Sequence, residues 1–364
     1  MSFRKSAKRV FASAMAGLFK RQNISAEQLV VSTAKRILIV RPHNQMGDMI
    51  CATPAFRAIR ETYPEADITL ICAPINHDAV RCNPHVNRVI VFDKRKCRNP
   101  VHLFNHVKSL RAIRPDLAFV LSSVSYSVTS TALAVASGAS LIVGNESASF
   151  GFDITSKIYS LELPSFPEID CNAVLHNLAP LQAVGISTAD LSTVVVSSVE
   201  EIELANKYLA DISTGCPVWV LHPGAGKAEN SWPVERFADI ADRAVQHGAT
   251  LVVLQGPADV EVISRFKELV TAKVNYMSVT TVGVCGSILQ QSERFICNDT
   301  GLMHLAGAVG VPSIALFGKT DPAIWGPINP VVGCLRGNQG ILNNLEIDFV
   351  WNCWLELPIR EDIK

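Results

Sequence analysis

Residues 294–318 carry the sequence pattern that most restricts how this chain can fold. In order, they comprise an apolar run (294–297), turn and helix-capping residues (Asn298, Asp299, Thr300), a helical stretch rich in small residues (301–310) and a second apolar run (312–317). This order predicts a strand, a tight turn, a helix and a second buried strand. In open α/β sheets, ligands bind at the carboxyl ends of the strands. Because a helix start also offers unpaired N–H groups and a positive dipole end, Asp299, Thr300 and His304 mark a candidate phosphate site.

Strand and helix patterns alternate from residue 36 onward. Further strands are predicted at residues 36–41, 67–72, 88–92, 117–121, 141–144, 218–222 and 250–254. Helices are predicted at residues 49–62, 101–113, 126–136, 171–184, 200–211, 234–247 and 259–271. The pattern weakens at about residues 145–167. Such alternation predicts mostly parallel sheets with helices on both faces.

A chain of 364 residues is long enough for two such domains. We therefore predict an α/β fold with two Rossmann-like doubly wound domains facing each other across a cleft. The predicted segments are a basic N-terminal extension (1–34), an N-terminal domain (35–185), a linker region (186–215), a C-terminal domain (216–330) and a C-terminal segment (331–364). Trp351 and Trp354 lie amid apolar positions, which predicts a closing helix that packs back on the body of the protein.

The composition excludes several classes of protein. With 48% hydrophobic residues, 18% charged residues and zero net charge, the chain forms a globular core and shows no basic excess for a nucleic-acid partner. The ten cysteines are scattered singly, without a C-x-x-C pair, and most lie in apolar runs. They are interpreted as reduced core thiols of a cytoplasmic protein.

The N-terminus combines charge with an apolar face. Basic residues flank the stretch 10–19, in which Phe11, Met15, Leu18 and Phe19 fall on one helical face. Three interpretations stay open: a peripheral helix at a membrane surface, a signal peptide with a short apolar stretch, or a solvated element, which is either a helix that packs on the domain or a frayed tail. No apolar run approaches the roughly 20 residues that span a bilayer.

Polar and glycine residues follow the predicted strands at several points. Asp48 lies after the first strand, as a helix cap or a general base. Gly224, Gly226 and Lys227 follow the strand at 218–222, where glycines permit close approach of a phosphate and the lysine supplies charge. Asp259 follows the strand at 250–254, as a helix cap or a hydrogen-bond acceptor for a base or ribose.

Motifs that would indicate other chemistry are missing from the sequence. It has no H-E-x-x-H, no Cys/His metal spacing and no G-x-S-x-G elbow. This leaves a metal-dependent enzyme or a hydrolase little support, and it favours a phosphate-bearing ligand held by glycine loops and helix starts.

Together these segments resemble glycosyltransferase family 9, the lipopolysaccharide heptosyltransferases. The resemblance covers roughly residues 36–330. It rests on four groups of motifs, which are residues 36–48 with 53–60, residues 222–226 with Trp232-Pro233 and 236–238, residues 256–259, and residues 298–305 with Phe317-Gly318.

The resemblance implies a GT-B fold, with an acceptor on the N-terminal domain and a nucleotide sugar on the C-terminal one. It implies inverting, metal-independent transfer of a heptose or related sugar, with ADP-heptose as a substrate rather than a cofactor and a lipopolysaccharide-core or similar acceptor. Asp48 matches the general base, and Asp259 matches an acidic position near the nucleoside. The candidate donor-binding residues are Gly224, Gly226, Lys227, Asn230, Asp259, Asp299, Thr300, Gly301, Leu302 and His304. The acceptor-side candidates are Arg41, Asn44, Gln45 and Gly47.

The chain departs from the family pattern at one position. The family commonly carries a lysine two residues before the Trp-Pro pair, where this chain has Asn230, and Lys227 is the candidate replacement. Two alternatives stay open. One is a sugar-nucleotide epimerase, which can use the same architecture, and the other is a catalytically inactive binding module, which the departure at Asn230 supports. The expected location is cytoplasmic, with peripheral contact at the inner membrane.

Overall fold

The computed structural model describes residues 22–42, 45–122, 125–151, 153–212, 215–278 and 281–358. Its strands are β1 (Arg36–Val40), β2 (Asp67–Cys72), β3 (Arg88–Val91), β4 (Leu117–Val120), β5 (Leu141–Asn145), β6 (Leu161–Leu163), β7 (Val218–His222), β8 (Thr250–Gln255), β9 (Asn275–Ser278), β10 (Arg294–Asn298), β11 (Ser313–Phe317) and β12 (Val332–Arg336). Its α-helices are α1 (Ala26–Val30), α2 (Met46–Cys51), α3 (Thr53–Thr62), α4 (His77–Val80), α5 (Pro100–Ile113), α6 (Val128–Ser137), α7 (Ala173–Gln182), α8 (Val199–Ile212), α9 (Val234–Gln246), α10 (Val260–Leu269), α11 (Val282–Gln291), α12 (Gly301–Val309), α13 (Pro322–Trp325) and α14 (Ile347–Leu355).

The chain divides into two compact units. The first draws on Met1–Gln45, Ala52–His77 and Asn83–Leu191. The second draws on Met46–Cys51, Asp78–Cys82 and Ser192–Lys364, so helix α2 belongs to the second unit although strand β1 belongs to the first. The second unit begins within the segment 186–215 that the sequence predicts as a linker, and this segment also holds helix α8.

The two units share one sheet topology. The first sheet has the order β3-β2-β1-β4-β5-β6, and the second, taken from its β9 edge, has the order β9-β8-β7-β10-β11-β12. All neighbouring strands in both sheets pair in parallel. In this doubly wound order the strands are added first on one side of the first strand and then on its other side. Ligands bind at the switch point between the two halves. The predicted α/β fold with two Rossmann-like sheets is therefore confirmed.

Alternating side chains of the second sheet form two cores. Val220, Phe295 and Cys297 pack on one face, with helices α11 and α12, whereas Leu221 and Ile296 pack on the other with helices α9 and α14. Successive residues of a strand point to opposite faces, so a strand buried on both sides is apolar throughout. This explains the continuous apolar runs of the sequence.

One predicted helix, at residues 49–62, was wrong in its extent. The structure has two helices there, α2 and α3, separated by Ala52. Pro54 lies in the first turn of α3, where its missing N–H group needs no partner, but the same lack interrupts a continuous helix. Because α2 already begins at Met46, Asp48 lies in its first turn and does not cap its start.

The predicted closing helix is present as α14, and hydrogen bonds hold it to the second sheet. Trp354 is fully buried, and its indole Nε1 donates to the carbonyl of Phe295 at 3.1 Å. The Arg294 guanidinium donates to the carbonyls of Trp354 and Leu355 at 2.6 and 2.7 Å. The end of the described chain is therefore part of the second core.

None of the ten cysteines forms a disulfide, and four of them are buried. The prediction of core thiols was wrong for Cys216, which is exposed. No helix among the described residues is long and apolar enough to cross a bilayer. The predicted amphipathic helix at residues 10–19 lies outside the described residues.

Candidate active site

The candidate site lies at the switch point of the second sheet, between β7 and β10. Asn298, the last residue of β10, is fully buried and joins the loops at this edge. Its amide nitrogen donates to the carbonyls of Pro223 and Gly224 at 3.0 and 3.1 Å, and its oxygen accepts from the N–H of Trp232 at 3.0 Å. The glycine loop after β7 is thereby held against the turn after β10.

Asp299 is the centre of a polar cluster in that turn. Its carboxylate accepts hydrogen bonds from Thr320 Oγ1 at 2.6 Å and from Asn230 Nδ2 at 3.2 Å. Burial raises the pKa of Asp299 above its ordinary value, while the hydrogen bond from Thr320 and the positive charge of Lys227 act in the opposite direction. The structure therefore brings together three predicted donor-site residues, Lys227, Asn230 and Asp299.

Two buried oxygen atoms flank Asp299 and have no hydrogen-bond partner among the described residues. They are Oδ1 of Asn230 and Oγ1 of Thr300. Thr300 is the N-cap residue of α12, yet its side chain makes no capping hydrogen bond. Because an unpaired buried polar group costs about 1–3 kcal/mol, such atoms indicate a place where a ligand completes the hydrogen bonding.

The hydrogen-bond partners of Asp259 differ from those that the sequence predicts. Its Oδ2 lies 2.9 Å from Nε2 of the buried His222 and accepts the N–H of Gly256 at 2.6 Å. Burial raises the pKa of Asp259, but the hydrogen bond and charge of His222 outweigh it, with help from Gly256, and the net pKa lies below the ordinary value. A Cβ atom on Gly224 would lie only 2.2 Å from Asp259 Oδ1, so the glycine lets this carboxylate pack under the loop.

Helix α2, which carries Asp48, packs directly on helix α12 within the second unit. Two glycines allow this contact: a Cβ on Gly47 would lie 2.6 Å from Cδ2 of His304, and a Cβ on Gly301 would lie 2.7 Å from Cε of Met46. Asp48 is partly buried on α2. The predicted base is therefore carried by a helix fixed to the start of α12, which directly follows the turn of Asp299 and Thr300.

His304 is a buried, uncharged residue of this helix contact. Its Nδ1 lies 3.4 Å from Sγ of Cys51, the last residue of α2. Burial lowers the pKa of His304 to about 4, so the imidazole is neutral at physiological pH and offers no positive charge to a phosphate.

The other candidates take several positions. Leu302 is buried in the apolar core, and Gly226 has open space around its Cα, since a Cβ there would meet nothing within 4 Å. Arg41 is buried in the first unit and donates to Asn177 at 2.6 Å, and Gln45 is exposed. Asn44 lies outside the described residues.

A cavity of about 740 Å³ lies at the switch point of the first sheet. Its lining comes from the segments that follow β1, β2, β3 and β4, and it includes Pro42, Ile75, Asp93, Arg95, Arg98 and Ser127. This volume suits a small ligand, and the cationic side chains favour an anionic one. No group of three metal-ligating side chains occurs among the residues that the structure describes.

Three residues that organise the site, His222, Asn298 and Thr320, are absent from the predicted site residues, although His222 and Asn298 belong to recognised motifs. Because Asn298 lies at a predicted strand end within such a motif, its role in joining the loops could have been predicted. His222 and Asp259 are 37 residues apart, and Thr320 and Asp299 are 21 residues apart. Only the positions at strand ends could have pointed to these pairs.

The family model "Glycosyltransferase family 9 (heptosyltransferase)" matches residues 103–354. Among curated proteins, lipopolysaccharide heptosyltransferase 3 of Escherichia coli is 24% identical over 293 residues, which cover 77% of this chain and 83% of that protein.

Solved structures share the fold. A family 9 glycosyltransferase from Veillonella parvula superposes with a TM-score of 0.79 at 21% identity, covering 90% of this chain and 99% of that one. The E. coli heptosyltransferase WaaC, solved with ADP, gives a TM-score of 0.71 at 20% identity, covering 89% and 100%. These likenesses confirm the predicted GT-B type of fold.

Proposed function

Because this chain belongs to glycosyltransferase family 9, the heptosyltransferase family, we propose that it transfers a heptose or related sugar from ADP-heptose to a lipopolysaccharide-core or similar glycan. The similar E. coli protein is a lipopolysaccharide heptosyltransferase, and the similar WaaC structure contains ADP. The observation that carries the proposal is the packing of α2, with Asp48, on α12, which follows the polar turn at Asp299.

The donor binds at the switch point of the second sheet. Oγ1 of Thr300 and Oδ1 of Asn230 are the buried atoms that lack partners among the described residues, and a hydroxyl or N–H group of the donor satisfies them. The diphosphate lies over the open Gly226 and the start of α12, where unpaired N–H groups stabilise negative charge. Lys227, which is exposed on the same loop, supplies the cation that the family places at position 230.

Asp48 acts as the general base. Breaking the anomeric bond builds positive charge on the sugar and negative charge on the departing diphosphate. Asp48 removes the proton of the acceptor hydroxyl as this oxygen attacks the anomeric carbon from the face opposite the diphosphate, which inverts the configuration. General base catalysis of this kind contributes about 10²–10⁴-fold to the rate.

No metal is assigned to the reaction. The leaving diphosphate is stabilised by the start of α12, by backbone N–H groups and by Lys227.

The acceptor binds in the cavity of the first unit, where Arg95 and Arg98 attract acidic groups. We place the reaction in the cytoplasm, at the inner membrane.

Transfer from ADP-heptose to a truncated core lipid tests the function. Mass spectrometry is expected to show an acceptor heavier by one heptosyl residue, with release of ADP. Conversion of ADP-heptose to an isomer without any acceptor would instead identify an epimerase. Tight ADP binding with neither product would identify a binding module.

A further inference from the structure

The first unit exposes basic and apolar side chains next to each other. Residues 94–98 contain the cations Lys94, Arg95, Lys96 and Arg98, and helix α5 follows directly from Pro100. The first turns of α5 expose 65% of Val101, 42% of Leu103 and 67% of Phe104. Exposed apolar residues are common when single, whereas a group of them beside a set of cations needs an explanation.

The spacing of α5 places two apolar residues and one lysine on one side of the helix, directly after the turn that carries Lys96 and Arg98. Val101, Phe104 and Lys108 are spaced by three and four residues, so they lie on the same helix face. In the second half of the helix Leu110 and Ile113 are buried, so this half packs against the unit while the first half is exposed. We call Lys96, Arg98, Val101, Phe104 and Lys108 the α5 surface.

The cations of the α5 surface are available for an external partner. None of Lys96, Arg98 and Lys108 forms an ion pair within 4.0 Å with another described residue. The nearby carboxylate of Asp93 accepts the backbone N–H groups of Arg95 and Lys96 at 2.8 and 3.3 Å. It therefore stabilises the turn, while the side chains that follow stay exposed.

We propose that the α5 surface docks this protein on an anionic lipid bilayer, with Val101 and Phe104 inserted among the lipids and the cations at the headgroups. An interfacial helix needs this combination of apolar insertion and basic charge. A second copy of the chain is disfavoured, because a symmetric dimer places the same surface on both sides of the interface and would bring like charges together.

The α5 surface is continuous with the cavity of the first unit. Arg98 belongs to both, and Ile75, which is 60% exposed, lines the cavity. Docking through this surface therefore holds the cavity mouth at the headgroup layer, where a lipid-linked acceptor is presented. Only this consequence depends on the proposed function, and the docking itself does not.

Sedimentation of the full chain with vesicles tests the proposal. Vesicles of phosphatidylethanolamine and phosphatidylglycerol are compared with vesicles of phosphatidylcholine. The double variant Lys96→Gln/Lys108→Gln should lower partitioning onto the anionic vesicles by about fivefold for each charge removed. The double variant Val101→Ser/Phe104→Ser should lower it by at least about tenfold.

Helix α8 supplies matched controls. It exposes 68% of Val199 and 57% of Leu204, but among acidic neighbours. The apolar control is Val199→Ser/Leu204→Ser. The charge control is Lys207→Gln/Lys273→Gln, which combines Lys207 of α8 with the exposed Lys273 of the loop before β9. Both controls should bind vesicles as the unchanged protein does. All substitutions are at exposed positions, so thermal unfolding should be unchanged, and the Val101→Ser/Phe104→Ser protein should keep its activity on a water-soluble acceptor fragment.

Two results would overturn the proposal. One is equal vesicle binding by the unchanged protein and both α5 variants, which would assign membrane contact to another part of the chain. The other is an altered oligomeric state of the α5 variants in light scattering with no loss of vesicle binding, which would identify a second copy as the occupant. Because vesicle binding and light scattering do not measure the transfer reaction, failure in these two measurements is distinct from failure of the proposed function.

Discussion

The Nδ1 atom of His304 lies 3.4 Å from the Sγ atom of Cys51, and the edge of the same imidazole packs against Gly47. His304 thus contacts both residues that flank the central part of α2, the helix that carries Asp48. The histidine of the motif at residues 298–305 serves here as a neutral spacer between two helices. The position of the proposed base therefore depends on contacts of α12 as well as on the loop after β1.

Replacing Gly47 with alanine should separate the two helices. The added Cβ would meet Cδ2 of His304 at 2.6 Å, and overpacking of this kind costs about 1–3 kcal/mol of stability. We expect kcat to fall more than the affinity for ADP, measured by transfer assay and calorimetry. Gly286→Ala is the matched helical control, since its Cβ would make ordinary contacts at 3.4 Å or more. Equal effects of both variants on kcat would argue against the spacer role.

His304 should make stability depend on pH. Its pKa in the folded protein is about 4, against about 6.5 in an unfolded chain. Above pH 6.5 both states are neutral and the contribution is complete. Below pH 6.5 this histidine binds a proton in the unfolded chain but not in the folded protein. The free energy of unfolding therefore falls by about 3 kcal/mol as the pH drops toward 4.

Urea unfolding across this pH range measures the effect. The variant His304→Gln should lose this part of the slope, whereas His102→Gln, at an exposed position of α5, should retain it. An unchanged slope in His304→Gln would show that the imidazole takes up its proton normally in the folded protein.

Two glycines of the loop after β7 should respond differently to alanine. Gly224→Ala collides with Asp259 and should cost about 1–3 kcal/mol of stability. Gly226→Ala meets nothing within 4 Å and should leave stability within about 0.5 kcal/mol. If a phosphate lies over Gly226, its alanine variant should weaken ADP binding about tenfold, or 1.4 kcal/mol. Unchanged ADP affinity would place the diphosphate elsewhere.

Lys227→Ala should weaken ADP binding about tenfold and adenosine binding hardly at all, because the lysine acts on the diphosphate. Lys319→Ala is a fitting control, since this nearby exposed lysine is paired with Glu229 at 2.9 Å. Calorimetric titration of both nucleotides gives the comparison. Equal losses for ADP and adenosine would remove Lys227 from the phosphate site.

The sequence predicts the sheets far better than the site geometry. Strand β7 was predicted with its observed bounds, because a buried parallel strand is a continuous apolar run. Helix α11 and strand β12 were not predicted. The two glycines of α11 weaken its helix pattern, and β12 is only half-buried.

The sequence predicts the site as a set of residues at strand ends. In the structure Lys227, Asn230 and Asp299 lie close together there. What a sequence leaves out is the direction of each side chain. Asp259 accepts from His222, and the imidazole of His304 packs on α2, because tertiary contacts decide where a side chain at a strand end or helix start is satisfied. The roles of these residues toward a donor stay predictions.

The most direct test of the account is the turnover of Asp48→Asn with ADP-heptose and a truncated core lipid, measured beside ADP affinity. The amide keeps the size of the carboxylate but cannot act as a base. We predict that kcat falls by about 10²–10⁴-fold, while the dissociation constant for ADP stays within about twofold of that of the unchanged protein. Near-normal turnover in this variant would contradict the account, because it would remove Asp48 from the chemistry that the packing of α2 on α12 is proposed to support.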